Sequence, residues 1–151
     1  MIEFQAISIR EEYDMARPRK TWVRASGKAA KPQIPITEKN ELSSKAQDLI
    51  EEHLKPQHIK PPPKNTDFSY PVDLFTKWRG GYFYFYAQYA SPGLNAISPT
   101  FDEQFARMEY AGNGLFNLSF KRHTGEWMEI YTGLIIDECL TAIRDEAHFL
   151  P

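Results

Sequence analysis

The chain lacks most of the features by which a sequence announces its function. Its 151 residues include one cysteine, Cys139, which excludes an internal disulfide and a zinc site built from thiolates. Four histidines, His53, His58, His123 and His148, stand without the spacing or the acidic company of a metal site, so no metal and no cofactor is expected. No apolar run approaches the roughly 18 residues that span a bilayer. The opening Met1-Ile2-Glu3-Phe4-Gln5 has neither the basic start nor the apolar core of a secretory signal, which predicts a cytoplasmic protein with no membrane contact. A net charge of −2 gives the whole molecule no pull toward nucleic acid or anionic lipid. There is no Gly-x-Ser-x-Gly elbow, no phosphate-binding glycine loop with its lysine, and no Gly-x-Gly-x-x-Gly after a strand.

Aromatic residues, at 14% of the chain, are what it has in abundance, and they gather after Phe68. Tyr82 to Ala90 reads Tyr-Phe-Tyr-Phe-Tyr-Ala-Gln-Tyr-Ala between Gly80-Gly81 and Ser91-Pro92-Gly93, a strand with aromatics on both faces. From Ala106 to Ile130 the pattern is that of a three-stranded meander. Phe116, Leu118 and Phe120 alternate with Asn117, Ser119 and Lys121, the period of a strand buried on one face. A two-residue Asn-Gly turn alone would set Phe120 against Arg107. Three-residue loops at Gly112-Asn113-Gly114 and His123-Thr124-Gly125 instead pair Tyr110 with Phe116, Met108 with Leu118, Ala106 with Phe120, Phe120 with Met128 and Leu118 with Ile130. Because a one-residue slip sends every side chain to the wrong face, the second register is favoured.

Helical periodicity appears twice. From Thr37, Leu42, Ala46, Leu49, Ile50 and Leu54 make one apolar stripe, with Thr37 placed to cap the helix and Pro56 to stop it. From Asp137, placed as a cap, Ile136, Leu140, Ile143, Ala147 and Leu150 make another over 137–150. The fold class is α+β: an antiparallel β-meander sheet of four to five strands, a C-terminal helix packed on one face, and an additional N-terminal helix. Residues 1–65 read as an extension carrying a basic arm and one helix. Residues 66–151 read as the sheet and its helix, divided from the extension at Pro61-Pro62-Pro63, the whole forming one compact domain.

The favoured register also predicts the sheet's second face, in three rows: Phe105, Lys121 and Trp127; Arg107, Ser119 and Glu129; Glu109, Asn117 and Tyr131. Aromatic, charged and amide groups mixed in this way match the composition of interfaces. Phe105, Arg107, Lys121, Trp127, Glu129 and Tyr131 are therefore the candidate partner-binding residues, with Lys121 against Trp127 as a cation–π pair. The bland alternative is that the N-terminal segment covers this face. The resulting reading is a non-enzymatic binding or accessory protein whose partner is another protein or a second copy of itself.

Two alternatives stand beside it. Arg17, Arg19, Lys20, Arg24, Lys28 and Lys31 lie in a stretch without an acidic residue, and with Trp22 they suggest an arm that binds nucleic acid. A small enzyme is the other, with His123 beside Glu126 as an acid–base pair, although Arg122 opposite Glu126 is also an ordinary ion pair at a hairpin end. Cys139, in the first turn of the last helix, has the helix dipole to lower its pKa, but with no histidine partner in sight it reads as an inert thiol.

Overall fold

The structure, a computed structural model, describes residues 31–64, 68–93 and 96–151. Residues 32–151 form one compact unit. Helix α1 (Ile36–Leu49) runs through a π-turn (Ile50–Leu54) into the short α2 (Lys55–His58). Five strands follow: β1 (Tyr70–Arg79), β2 (Tyr82–Ala90), β3 (Thr100–Gly112), β4 (Leu115–Lys121) and β5 (Trp127–Leu134). Helix α3 (Ile136–Asp145) and a 3-10 turn (Ala147–Phe149) close the chain. The sheet is an antiparallel meander in sequence order, β1-β2-β3-β4-β5, so the α+β class and the two flanking helices are as the periodicity predicts.

The helix at 36–58 is longer than its sequence suggests. Pro56 does not stop it; Lys55 before it stays helical at φ −63 and ψ −48. A proline in a regular helix lacks one N–H and crowds the carbonyl four residues back. Here the chain widens just ahead of it, and the Lys55 N–H reaches back five residues to the Ile50 carbonyl, which is how the ring is accommodated. Thr37 is not the cap. Pro35 holds that position, its carbonyl accepting the Lys39 N–H at 3.0 Å, and among the described residues no side chain caps the end. In α3 the Glu138 carboxylate accepts the Ile135 N–H at 3.1 Å, so Ile135 and not Asp137 is the capped residue. The C-terminal helix ends at Asp145 because Glu146 is extended, and the 3-10 turn that follows buries Phe149 while Leu150 stays exposed.

One core joins these elements. Leu42, Ala46, Leu49, Ile50 and Leu54 from the first helical run meet Phe83, Phe85, Met108, Phe116 and Leu118 of the sheet, with Ile136, Leu140 and Ile143 of α3. The helices thus cover one sheet face. Lys45 links them at the surface by pairing with Asp137 at 2.8 Å, and Trp78 donates to Ser43 at 3.2 Å at the sheet margin.

Where β3 meets β4 the register is the one expected: Ala106 lies opposite Phe120, Met108 opposite Leu118 and Tyr110 opposite Phe116. The hairpin reconciles two rival turn geometries. Asn113 and Gly114 both take positive φ (56 and 75), the two-residue turn that matches strand twist, while Gly112 pairs with Leu115 and Ala111 is the extra residue. Between β4 and β5, Phe120 does face Met128, but Leu118 faces Tyr131 and not Ile130. Ile130 is the extra residue of a bulge, and a second irregularity follows where Gly133, at φ 71, gives its N–H to the Asn117 side chain at 3.2 Å. A third bulge lies between β2 and β3. Phe85 pairs with Ala106 and Tyr86 with Gln104, leaving Phe105 unpaired and turned to the core face.

Candidate functional site

Strict alternation places the even-numbered residues of β2 on the face away from the helices. One cross-strand row there runs Lys77, Tyr84, Arg107, Ser119 and Glu129 across all five strands. Beside it lie Arg79 opposite Tyr82, Phe75 opposite Tyr86, and Lys121 opposite Trp127. Five aromatic rings and four cations share this surface.

They are in mutual contact. The Arg107 guanidinium lies 4.5 Å from the Tyr82 ring centre and 4.6 Å from that of Trp127, a cation held between two π faces. Tyr84 touches Tyr82 at 5.8 Å, Tyr86 at 6.1 Å and Trp127 at 5.8 Å between ring centres. Phe75 stacks on Tyr86 at 5.0 Å with planes 3° apart, and Lys77 stands over both rings. The expected Lys121–Trp127 pair is present but looser, at 6.0 Å, with Lys121 also reaching Glu103 at 3.4 Å. Burial acts to raise the Tyr86 phenol, yet hydrogen bonds from Arg79 and Gln104 outweigh it and hold its pKa below the usual tyrosine value. Arg107 Nε is buried and, among the described residues, has no hydrogen-bond acceptor. A desolvated donor of that kind costs free energy until an acceptor arrives.

Of the six residues expected here, Arg107, Lys121, Trp127 and Glu129 share the face. Phe105 and Tyr131 do not. Phe105 is 6% exposed and packs on Phe85 at 6.0 Å in the core, rotated there by its bulge. Tyr131 points to the helix side, where its hydroxyl donates to the Glu146 carboxylate at 2.8 Å, the bulge at Ile130 having reversed its direction. Phe75, Lys77, Arg79, Tyr82, Tyr84 and Tyr86 complete the array. The doubly aromatic Tyr82–Ala90 run was the sequence signal for three of them, whereas β1 gave none.

The remaining candidates are dispersed. Arg17, Arg19, Lys20, Trp22 and Arg24 lie outside the described residues, as does Lys28. Arg122 and Glu126 form an exposed pair at 3.9 Å across a tight turn closed by Gly125 N–H on the Arg122 carbonyl. His123 is exposed on that turn, at the rim of a cleft of about 320 Å³ shared with Glu103 and Lys121. Cys139 is fully buried, and desolvation, with help from Glu138, pushes its thiol up to about 12 instead of lowering it. A second cleft, about 440 Å³, lies between β5 and α3 and is lined by Asp137, Glu138, Asp145 and Glu146. Each of those acids already has a partner: Lys45, the Ile135 N–H, Arg144 and Tyr131 respectively. Among the described residues no three His, Cys, Asp or Glu side chains converge as a metal site would require, and no helix is long and apolar enough to cross a membrane.

No curated protein and no solved structure matches the chain significantly. Its residues 34–151 match the profile of a family described as a domain of unknown function (DUF3024), a stretch that takes in α1, the whole sheet and α3, and the chain belongs to that family.

Proposed function

We propose that the chain is a binding protein and that the sheet face opposite the helices receives its partner. The observation that carries this reading is the Arg107 clamp: a guanidinium held between Tyr82 and Trp127, with one buried donor that has no acceptor among the described residues. Aromatic rings and arginine are the residues that dominate binding energy where surfaces meet, because they offer large rigid area with a polar handle. A core needs no such cation, and a solvated face needs no such rings. Lys77 and Glu129, exposed on the two edge strands, frame the array as a charged rim frames an interface.

The test is a photo-crosslinking amino acid placed in cells at Lys77 or Glu129 on this face, and at Asp48 on α1 as control. Adducts from the first two positions and not from the third are the expected result. Equal labelling from Asp48, or none from the sheet, would refute the reading. Self-association is the simplest protein version, and sedimentation over a concentration series checks it: a strict monomer removes it.

A further inference from the structure

We infer that the partner of this face is a single-stranded nucleic acid, an inference that rests on the face being the binding surface. The chemistry of the array is specific enough to choose. An unpaired strand presents flat bases in alternation with anionic phosphates, and the face presents π surfaces in alternation with cations. Every base has a face to stack, so stacking on aromatic side chains binds single strands with little regard to sequence, while lysine and arginine track the backbone. Here Tyr84 and Trp127 touch at the centre, Phe75 stacks on Tyr86 to one side, and Lys77, Arg79, Arg107 and Lys121 are interleaved with them.

The dimensions agree. Five strands spaced about 4.8 Å apart give a surface roughly 20 Å across, enough for the two or three bases that sheet-based readers stack. Duplex nucleic acid, whose bases are already stacked on one another, has nothing to offer the rings. The Arg107 guanidinium lies among the stacking groups, a cation placed between Tyr82 and Trp127 where a strand's phosphates would pass. The face also carries acids: Glu109 lies opposite Tyr82 on β3, Glu129 ends the row of Arg107 on the edge strand, and Asp102 lies toward the far end of β3, accepting from Gln88 at 3.4 Å. A protein partner would have to bring carboxylates to these cations in a fixed arrangement, whereas the single strand supplies charge at every nucleotide.

The experiment titrates the full chain with fluorescent oligothymidine and oligouridine of roughly 15 nucleotides, and with a duplex of equal length, at about 50 mM salt. Binding to both single strands and not to the duplex is expected. Replacing Trp127 or Tyr84 with alanine should weaken it roughly 5- to 100-fold, with Tyr84→Phe retaining it, since phenylalanine keeps the stacking face. Because the exposed Lys77 and Arg79 can change without disturbing the core, the double variant K77S/R79S guards against misfolding as the cause. It should lower the slope of log affinity against log salt by about 1.4, at ~0.7 per phosphate contact. No binding to either single strand overturns the inference. So does binding abolished by replacing Arg17, Arg19, Lys20 and Arg24 with serine yet indifferent to K77S/R79S and Trp127→Ala. If oligonucleotides fail while crosslinks from Lys77 and Glu129 yield a protein adduct, the nucleic-acid inference falls and the binding face stands.

Discussion

Truncating Phe105 to alanine separates two accounts of β3. Unbroken alternation sends this ring to the outer face beside Trp127, where its loss would cost no more than the ~1 kcal/mol range of strand propensities. The observed bulge sends it into the core, 6% exposed and tilted against Phe85 at 6.0 Å between ring centres. Removing a buried phenyl group forfeits transfer free energy and leaves a cavity, about 3–5 kcal/mol together. The ring keeps a little solvent exposure, so the lower end, ~3 kcal/mol, is expected. With a urea m-value of about 1.5–2 kcal/mol/M, the unfolding midpoint should fall by roughly 1.5–2 M. Phe101 in the same strand is the internal comparison: 40% exposed and stacked on Tyr89, it should cost about 1 kcal/mol. Equilibrium urea unfolding of both variants followed by tryptophan fluorescence is the assay. A Phe105→Ala loss within about 0.5 kcal/mol of the Phe101→Ala loss would refute the bulge and the face assignment that follows from it.

Three further outcomes are expected. In a double-mutant cycle, Arg107→Met and Trp127→Leu should show a coupling of about 0.5–1 kcal/mol in urea unfolding, the value of a partly exposed cation–π contact, and additivity would deny the clamp. Cys139 should resist a thiol reagent at pH 8 in the native protein and react on unfolding, since raising its pKa from 9.0 to about 12 cuts the thiolate about a thousandfold. The folded state holds that proton more tightly than the unfolded one, so the contribution to stability is complete below pH 9, declines as pH climbs toward about 12, and is missing from the alkaline profile of Cys139→Ala. Pro56→Ala should change stability by less than about 1 kcal/mol, because the π-turn already relieves the ring, whereas a gain near 3 kcal/mol would mean that the proline strains the helix.

How far the sequence reads as structure depends on what each rule counts. Alternation and turn chemistry count single residues, and they succeed where pairing is one to one: Ala106 with Phe120, Met108 with Leu118, Lys121 with Trp127. A bulge breaks that premise, and whether one forms is decided by energies that a strand pattern does not contain. Burying Phe105 is worth about 2 kcal/mol or more, against the ~1 kcal/mol of a lost ladder hydrogen bond, so the chain bulges. The same comparison applies at Ile130, which packs against the core while Tyr131 turns to meet Glu146. At Pro56 the deciding feature is again a local irregularity, a π-turn that a rule for regular helices does not contain. Strand β1 is not legible in the sequence because Pro71 and Asp73 interrupt its pattern and Val72 falls at a register shift.

The candidate site was half legible for a related reason. Arg107, Lys121, Trp127 and Glu129 follow from the meander alone, but the contact that makes them a site is not between neighbours. Tyr84 on β2 and Trp127 on β5 sit three strands apart, about 14 Å between strand axes, and no pairing rule brings them together. Their rings nonetheless meet at 5.8 Å. Between them in the sheet lies Ser119, 4% exposed, a side chain small enough to leave the space over β4 to rings from either side, while Arg107 on β3 fills the gap as a cation and not as a hydrocarbon. A larger residue at position 119 would hold the rings apart and leave separate edge aromatics. The array is therefore a property of a small residue in mid-sheet as much as of the aromatics themselves, and it is over that small side chain that a sequence of ordinary strands acquires a continuous aromatic surface.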